Sequence, residues 1–195
     1  MKLKRFTLGA IICLLSISVY AQEEQTKFGF ELNGGLSLPN GKLSGTTVYP
    51  GAGFEAVILY RVISDFNIYG GWGWNSLPSV SSFAGDDISF EETGYVFGLE
   101  YSHQFGNSSL GYFIRGGALI NQIGLENASG DIIADSRHGL GWQVAAGIAL
   151  PLGSNWSLNP GLKFNSLNRD IETEGVSRQI SYDYMSVRVG IVKMF

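Results

Sequence analysis

The chain has 195 residues, of which 45% are hydrophobic, 13% aromatic and 15% charged. Its seventeen acidic and thirteen basic residues give a formal net charge of −4, which argues against a nucleic-acid partner. Twenty-seven glycines, many aromatics and few charges are typical of a sheet-rich chain, and the length suits one domain.

Residues 1–21 have the features of a cleaved export signal. The basic start MKLKR is followed by a mostly apolar segment from Phe6 to Tyr20, and Ala21 ends a small-residue cleavage pattern. A membrane anchor is the alternative, but about 15 apolar residues are fewer than the ~20 that a spanning helix needs. We therefore predict cleavage between Ala21 and Gln22.

The predicted mature domain spans residues 22–195. It contains no cysteine, since Cys13 is the only one in the chain, and its net charge is 10 − 17 = −7 after the loss of three basic residues. No apolar run after residue 21 is long enough for a transmembrane helix. We expect neither a thiolate metal site nor a bound cofactor.

The first strand is predicted from the segment KFGFELNGGLSLP, where apolar residues occupy even positions and small or polar residues occupy odd ones. Seven further segments, each rich in glycine, aromatic and β-branched residues and bounded by turn signals, follow it. The eight predicted strands begin near Lys27, Gly51, Phe66, Thr93, Leu110, His138, Trp156 and Ser181.

The charged and amide side chains within these strands lie on the face opposite the apolar one. They are Glu31, Glu55, Arg61, Glu100, Arg115, Gln143, Lys163 and Arg188. In the second, fifth and eighth strands both faces carry apolar residues, so the charges themselves helped to assign the faces. We predict that this set forms a polar and ionic network on one side of the sheet.

The connections between the segments alternate in length. Short connections near residues 63–65, 106–109 and 151–155 alternate with long gaps near 40–50, 78–92, 127–136 and 168–180. Up-and-down barrels of the outer membrane combine short periplasmic turns with longer external loops in this way. The pattern predicts four long loops on the outside.

A soluble barrel would turn the apolar faces inward, and a membrane barrel would turn them toward lipid. The segments span roughly 10–13 residues, close to the 9–11 of a membrane-crossing strand and longer than ordinary strands. An even strand number permits the closure that hydrocarbon demands, because an open edge would leave backbone groups unpaired. A soluble lipocalin-like barrel remains the alternative, although GGWGWN lies in the third segment rather than near the first strand, where lipocalins have their GxW.

The signal-like start, the eight alternating segments and the terminal VRVGIVKMF resemble those of small OmpA/OmpX-type outer-membrane β-barrels. The resemblance implies an all-β, eight-stranded antiparallel up-and-down transmembrane barrel in the outer membrane of a Gram-negative bacterium. It further implies contact with outer-membrane lipids and lipopolysaccharide, and a last strand read by the barrel-assembly machinery. The matching residues are Val187, Val189, Ile191 and Phe195, whereas Lys193 departs from the pattern.

A barrel of eight strands is just wide enough for side chains to fill its interior. Turn positions predict that Glu100 lies opposite Arg115 and that Gln143 lies opposite Lys163. We therefore expect a polar plug and a structural or surface-interacting role, with an extracellular ligand for the loops left open. The alternatives are a narrow channel for small solutes and a lipid-modifying enzyme.

The sequence offers few catalytic groups. His103 is predicted at the periplasmic interface, and His138 lies beside Asp135 and Ser136 at the external rim, a combination common in ordinary loops. The acidic segment 86–92 has oxygen ligands for a divalent cation that could bridge lipopolysaccharide, but a solvated loop is the simpler expectation. We predict no enzymatic activity.

Overall fold

The computed structural model describes residues 26–41, 46–82, 84–173 and 176–195. These residues form nine antiparallel strands: β1 (Phe28–Pro39), β2 (Gly51–Ile63), β3 (Phe66–Ser82), β4 (Gly85–Gln104), β5 (Gly111–Glu126), β6 (Ile132–Asp135), β7 (Gly139–Gly153), β8 (Trp156–Thr173) and β9 (Val176–Met194). Strand β9 pairs with β1, and β5 pairs with both β4 and β7, so eight strands close a ring. The predicted eight-stranded up-and-down barrel is confirmed. The predicted cleavage site at Ala21 and Gln22 lies outside the described residues and stays a prediction.

The short strand β6 extends the wall above β7. It pairs with the upper end of β5, and Ser136 bridges to Ile171 of β8. The interruption between β6 and β7 is covered by Arg169 of β8, whose guanidinium donates hydrogen bonds to the backbone oxygens of Gly139 (2.6 Å) and Asn121 (3.0 Å), among others. In the described ranges, no helix is long and apolar enough to cross a membrane.

An apolar belt surrounds the lower part of the barrel. Its side chains point away from the ring, for example Ile58 (61% exposed), Tyr95 (60%) and Leu140 (73%). Aromatic pairs mark its two edges, with Phe28–Tyr60 at the end of the short turns and Phe54–Trp74 at the other. Along β3, the eight steps from Phe66 to Trp74 correspond to a height of roughly 21 Å at a tilt near 40°, close to the apolar band of membrane barrels.

Above Trp74 the polarity of the wall inverts. Five of the long strands, β3, β4, β5, β8 and β9, continue beyond this level, and most of their inward side chains there are apolar and almost inaccessible. This outer apolar core comprises Val48, Leu77, Ile88, Phe90, Ile123, Leu125, Leu167, Ile171, Ile180, Tyr182 and Tyr184. The outward side chains at the same height are mostly polar, such as Asp87, Asn168 and Ser181. We call this part, formed by residues 46–50, 75–92, 121–138 and 166–184, the outer head.

The outer head corrects three of the four predicted long loops. The gap 78–92 is the β3–β4 hairpin, with Ser82 paired to Gly85, and the gap 168–180 is the β8–β9 hairpin. The gap 127–136 contains β6. Only the connection between β1 and β2 lacks a strand in its described part. Strands β4 and β9 therefore begin at Gly85 and Val176, before the predicted Thr93 and Ser181, because apolar side chains pack inside the head and keep the hairpins paired.

The barrel lumen as candidate functional site

The lower lumen is organised by the Arg115 guanidinium. Its Nη1 donates to Glu31 Oε1 at 2.9 Å, its Nη2 donates to the second oxygen of the same carboxylate, and its Nε donates to Glu100. Asn33 donates to Glu31 at 2.8 Å, and Asn67 donates to Glu100 at 2.7 Å. The three charged side chains are each at most 6% exposed. This cluster of Arg115, Glu31 and Glu100 is the lower ionic network.

A second ion pair lies above this network. Lys163 donates to Glu55, and both side chains are buried. Arg188 extends toward the same region, where its Nη1 donates to Asn33 at 3.3 Å, and Gln143 donates to the hydroxyl of Tyr69 at 3.1 Å.

The buried charges of the lumen balance. Among the described residues, the buried acidic side chains are Glu31, Glu55, Glu92 and Glu100, and the buried basic ones are Arg115, Lys163, Arg169 and Arg188. Four acidic and four basic side chains therefore face the interior. Glu31, Glu55 and Glu100 form ion pairs with Arg115 and Lys163, whereas Glu92, Arg169 and Arg188 form hydrogen bonds with side-chain or backbone amide groups. Buried ionised groups are tolerated where they are paired or hydrogen-bonded.

Of the eight side chains predicted for the lumen, seven lie buried on the inner face, and Arg61 is partly buried at the periplasmic mouth. Glu100 lies directly opposite Arg115. The predicted pairing of Gln143 with Lys163 is wrong, since Gln143 pairs with Asn165 and Lys163 with Ala145. The turn lies at Ser154 and Asn155, whose φ angles are 50° and 63°, and a bulge before it shifts the register.

Glycines on the inner face make room for the large polar side chains. A Cβ atom built at Gly117 would collide with the Tyr69 hydroxyl, and one at Gly53 would lie 2.9 Å from Arg188 Nη2. Gly116, on the outer face, has no neighbour within 4 Å of such an atom. The glycines of the inner face therefore leave the space that the large polar side chains of the lumen occupy.

The space left inside the barrel wall is small and divided. One cavity of about 20 Å³ is lined by Glu92, Asn165 and Arg188 among others, and a second of about 30 Å³ is lined by Arg115, Gln143 and Arg188 among others. A single buried water needs roughly 10–15 Å³ measured in this way. Each cavity can therefore accommodate one or two water molecules, but neither is a passage for a solute.

Several lumen residues were missed by the sequence analysis. Glu92 and Arg169 lie in segments that it assigned to loops, and Tyr182 lies at the start of the predicted last strand, where only Arg188 was assigned to the inner face. Glu92 accepts a hydrogen bond from Asn121, and Arg169 covers the break between β6 and β7. Tyr182 donates to the carbonyl of Phe90 at 3.2 Å inside the outer apolar core. Their alternation with exposed polar neighbours along the strand is the signal that could have located them.

The periplasmic end of the lumen opens into a vestibule of about 370 Å³. Its wall includes Arg61 from β2, Asp65 from the β2–β3 turn and His103 from β4. Asp65 and His103 form a pair with a 3.3 Å contact, and both are solvent-exposed to about half of their area. His103 thus lies at the periplasmic interface, as its position in the sequence predicted.

In the described part of the external rim, the acidic residues considered for a divalent cation do not form a cluster, and Ser136 and His138 differ in exposure. Asp86 and Asp87 are exposed near the β3–β4 turn, whereas Glu91 and Glu92 lie lower on β4 and point to opposite faces. No group of three or more potential metal ligands occurs within the described ranges. Ser136 is buried and accepts a hydrogen bond from the backbone of Ile123 at 2.8 Å, while the neighbouring His138 is exposed.

The last strand exposes the residues of the predicted assembly signal. Val187, Val189, Ile191 and Phe195 all point outward from β9 and are between 41% and 51% exposed. Lys193, the exception in that pattern, extends to the carbonyl of Ser154 and lies 5.4 Å from the ring of Trp156. Its ammonium group is therefore held at the aqueous edge, which is the behaviour expected of a snorkelling lysine.

A closed ring of strands with an apolar outer belt and paired charges inside defines a transmembrane β-barrel, because only lipid accommodates that belt. The inward-facing apolar arrangement of a lipocalin-like barrel is not present in this belt. A family model described as the outer membrane protein beta-barrel domain matches residues 9–195. The chain belongs to this family, and the protein is located in the outer membrane.

Solved structures share the fold. The crystal structure of Neisserial surface protein A matches with a TM-score of 0.62 and 13% identity over 86% of this chain and 97% of that one. AlkL in DMPC bilayers gives 0.55 and 16% over 91% and 94%, and outer membrane protein W of E. coli gives 0.53 and 13% over 89% and 100%. At these identities the likeness shows the fold alone. No curated protein matches the chain.

Proposed function

We propose that the protein is a sealed, non-conducting barrel that has a structural role in the outer membrane and presents its outer head to the cell exterior. The proposal rests on two buried clusters of side chains that lie at successive heights of the lumen. The lower ionic network fills the membrane part, and the outer apolar core fills the head.

Each seal is costly to open. Separating Arg115 from its two carboxylates would leave buried charges without partners, at about 3–5 kcal/mol. Exposing the apolar side chains of the head costs about 1.5–3 kcal/mol for each large residue. Since every 1.4 kcal/mol is a factor of ten, a state with both seals open would be very rare.

The test is conductance across a planar lipid bilayer containing the purified protein. We expect no current steps from the wild type. A lower-seal variant (Glu31→Gln, Glu100→Gln, Arg115→Ala) and an upper-seal variant (Phe90→Ala, Tyr182→Ala) should each remain silent, since one seal persists, whereas their combination should conduct. Heat-modifiable gel migration verifies that each variant is folded.

Reproducible steps from the wild type that change with substitutions at Glu100 or Arg115 would contradict the sealed barrel. Such a result would favour the alternative of a narrow channel for small solutes. The same outcome would identify the lower ionic network as a gate.

The proposal includes no catalytic role. The Ser136 hydroxyl is buried and engaged by the backbone, so it is not presented to a lipid substrate beside His138. Mass analysis of lipid A from cells with and without the gene should show no difference. A mass shift that disappears in His138→Ala would establish an enzyme instead.

The surface chemistry of the outer head favours a neutral or cationic partner. Among the side chains of the head that the structure describes, the exposed charged ones are Asp86, Asp87, Asp131, Asp135, Asp170 and Arg137. Five carboxylates against one guanidinium would repel a polyanion. Binding of vesicles or cells by the intact protein should therefore not be inhibited by sulfated polysaccharides.

The terminal strand carries the proposed contact with the barrel-assembly machinery. Val187, Val189 and Ile191 lie on the outer face of β9, and Phe195, which follows the strand, is also exposed. Deletion of Phe195 should reduce the amount of protein inserted in the outer membrane. Contact with the acyl chains of lipopolysaccharide in the outer leaflet is also proposed, because the apolar belt extends up to the base of the outer head.

A further inference from the structure

The vestibule at the periplasmic end has the size of a small-molecule site. Its volume of about 370 Å³ lies within the 300–1,000 Å³ typical of ligand pockets. Buried side chains of the next layer, Leu59, Asn67, Glu100 and Phe113, lie above it toward the lumen. The vestibule is therefore a blind recess, open to the periplasm and closed toward the membrane interior.

The lining of the recess is rich in hydrogen-bonding groups. Four serines, Ser64, Ser102, Ser109 and Ser157, contribute to its wall, together with Gln104. Hydroxyls both donate and accept hydrogen bonds, so they suit a ligand that itself carries hydroxyl groups.

The charge of the recess is determined by Arg61. Among the described residues of the wall, Asp65 is the only one with a carboxylate, and its Oδ2 is 3.3 Å from Nδ1 of His103. Arg61 has no acidic partner among the described residues, and its Nε is buried without a hydrogen-bond acceptor. The backbone N–H of Arg61 donates to the backbone oxygen of Lys27 at 2.7 Å, so a second cationic residue lies beside it, immediately before β1.

We propose that this vestibule binds a small oxyanion that also carries hydroxyl groups, with the Arg61 guanidinium as its anchor. The two terminal Nη–H groups of an arginine form a fork that matches two oxygens of a carboxylate or phosphate. Such a ligand would supply the anionic partner that the Arg61 guanidinium lacks, while its hydroxyls would meet the serine side chains. The site does not depend on whether the lumen conducts.

The carboxylate could come from a free periplasmic solute or from the chain itself, since Glu23 and Glu24 precede Lys27 by only three or four positions. The probes are sodium gluconate, a hydroxylated carboxylate, and sorbitol, its uncharged counterpart. Both are titrated into the detergent-solubilised protein purified from the membrane, and the Arg61 side-chain N–H resonance is followed by NMR. We expect gluconate to shift this resonance and sorbitol to leave it unchanged.

The variant Arg61→Gln should weaken gluconate binding about tenfold or more, as measured by shifts of backbone amides in the wall. Lys193→Gln removes a cation at the same end of the barrel but outside the recess, and it should change the affinity less than twofold. If gluconate has no effect on the wild type but binds to Glu23→Gln/Glu24→Gln, the site is an oxyanion site occupied by the chain itself. No binding in either protein, or equal binding by Arg61→Gln and wild type, would overturn the proposal.

Discussion

Replacement of Arg115 tests the physical basis of the lower seal. The guanidinium serves two carboxylates, Glu31 and Glu100, which are 3% and 5% exposed. Arg115→Ala leaves both as unpaired buried charges, and removal of one member of a buried ion pair costs about 3–5 kcal/mol. Against the 5–15 kcal/mol of a typical domain, the loss is expected to be about a fifth of the stability or more.

The control is a variant with the same shape but no charge. Arg115→Met combined with Glu31→Gln and Glu100→Gln removes all three charges, so no carboxylate is left without its partner. Neutral replacements of buried ion pairs are often neutral or stabilising, so we expect this variant to stay within about 2 kcal/mol of the wild type or to exceed it. Lys193→Ala, at the aqueous edge, should cost less than about 1 kcal/mol.

The assay is urea unfolding in lipid vesicles, followed by the fluorescence of the four tryptophans and by heat-modifiable gel migration. The decisive quantity is the difference in unfolding free energy between Arg115→Ala and the triple variant. If Arg115→Ala lies within about 1 kcal/mol of the wild type, the carboxylates are solvated rather than buried, and the lower seal does not exist.

Three further substitutions test the polarity of the wall, its glycines and the outer core. Ile58→Lys, in the middle of the apolar belt, should cost about 2–4 kcal/mol in vesicles, whereas Val80→Lys, equally exposed but on the outer head, should cost almost nothing. Gly117→Ala should destabilise the barrel by about 1–3 kcal/mol in the same urea assay, since its new methyl group would collide with lumen side chains and backbone, while Gly116→Ala should be harmless. Phe90→Ala, fully buried in the outer head, should cost about 3–5 kcal/mol and open the head to added protease on intact cells. Equal costs within either matched pair, or an unchanged protease pattern, would contradict the corresponding assignment.

The alternation of side chains was sufficient to predict the membrane part of the barrel. In β4, Tyr95, Phe97 and Leu99 point to lipid and Glu100 points inward, and this is fixed by the two-residue period of a strand. The position of Glu100 opposite Arg115 then follows from the predicted turn at residues 106–109, between β4 and β5. The register of Gln143 could not be obtained in this way, since it depends on a bulge that the alternation does not reveal.

The outer head was missed for a physical reason. The apolar residues of β4 change from even positions at Ile88 and Phe90 to odd positions from Tyr95 onward, although the strand is continuous. In β9 they change in the same way between Tyr184 and Met185. A change of phase is ordinarily interpreted as the end of a strand, because a one-residue slip moves every side chain to the other face. Here the same set of positions points inward along the whole strand, and the medium outside the barrel changes from lipid to water.

The phase changes of neighbouring strands lie at one height, which gives them a common cause. In the β8–β9 pair, Phe164 lies opposite Met185 and both take the lipid-facing phase, while Leu167 lies opposite Tyr182 and both point inward. Such alignment is not expected if each strand simply ended where its pattern changed. It is expected if a single plane, the outer surface of the bilayer, intersects all the strands. A change of apolar phase within an unbroken alternating segment therefore indicates where a barrel strand leaves the membrane, and it can be identified from sequence before any loop is assigned.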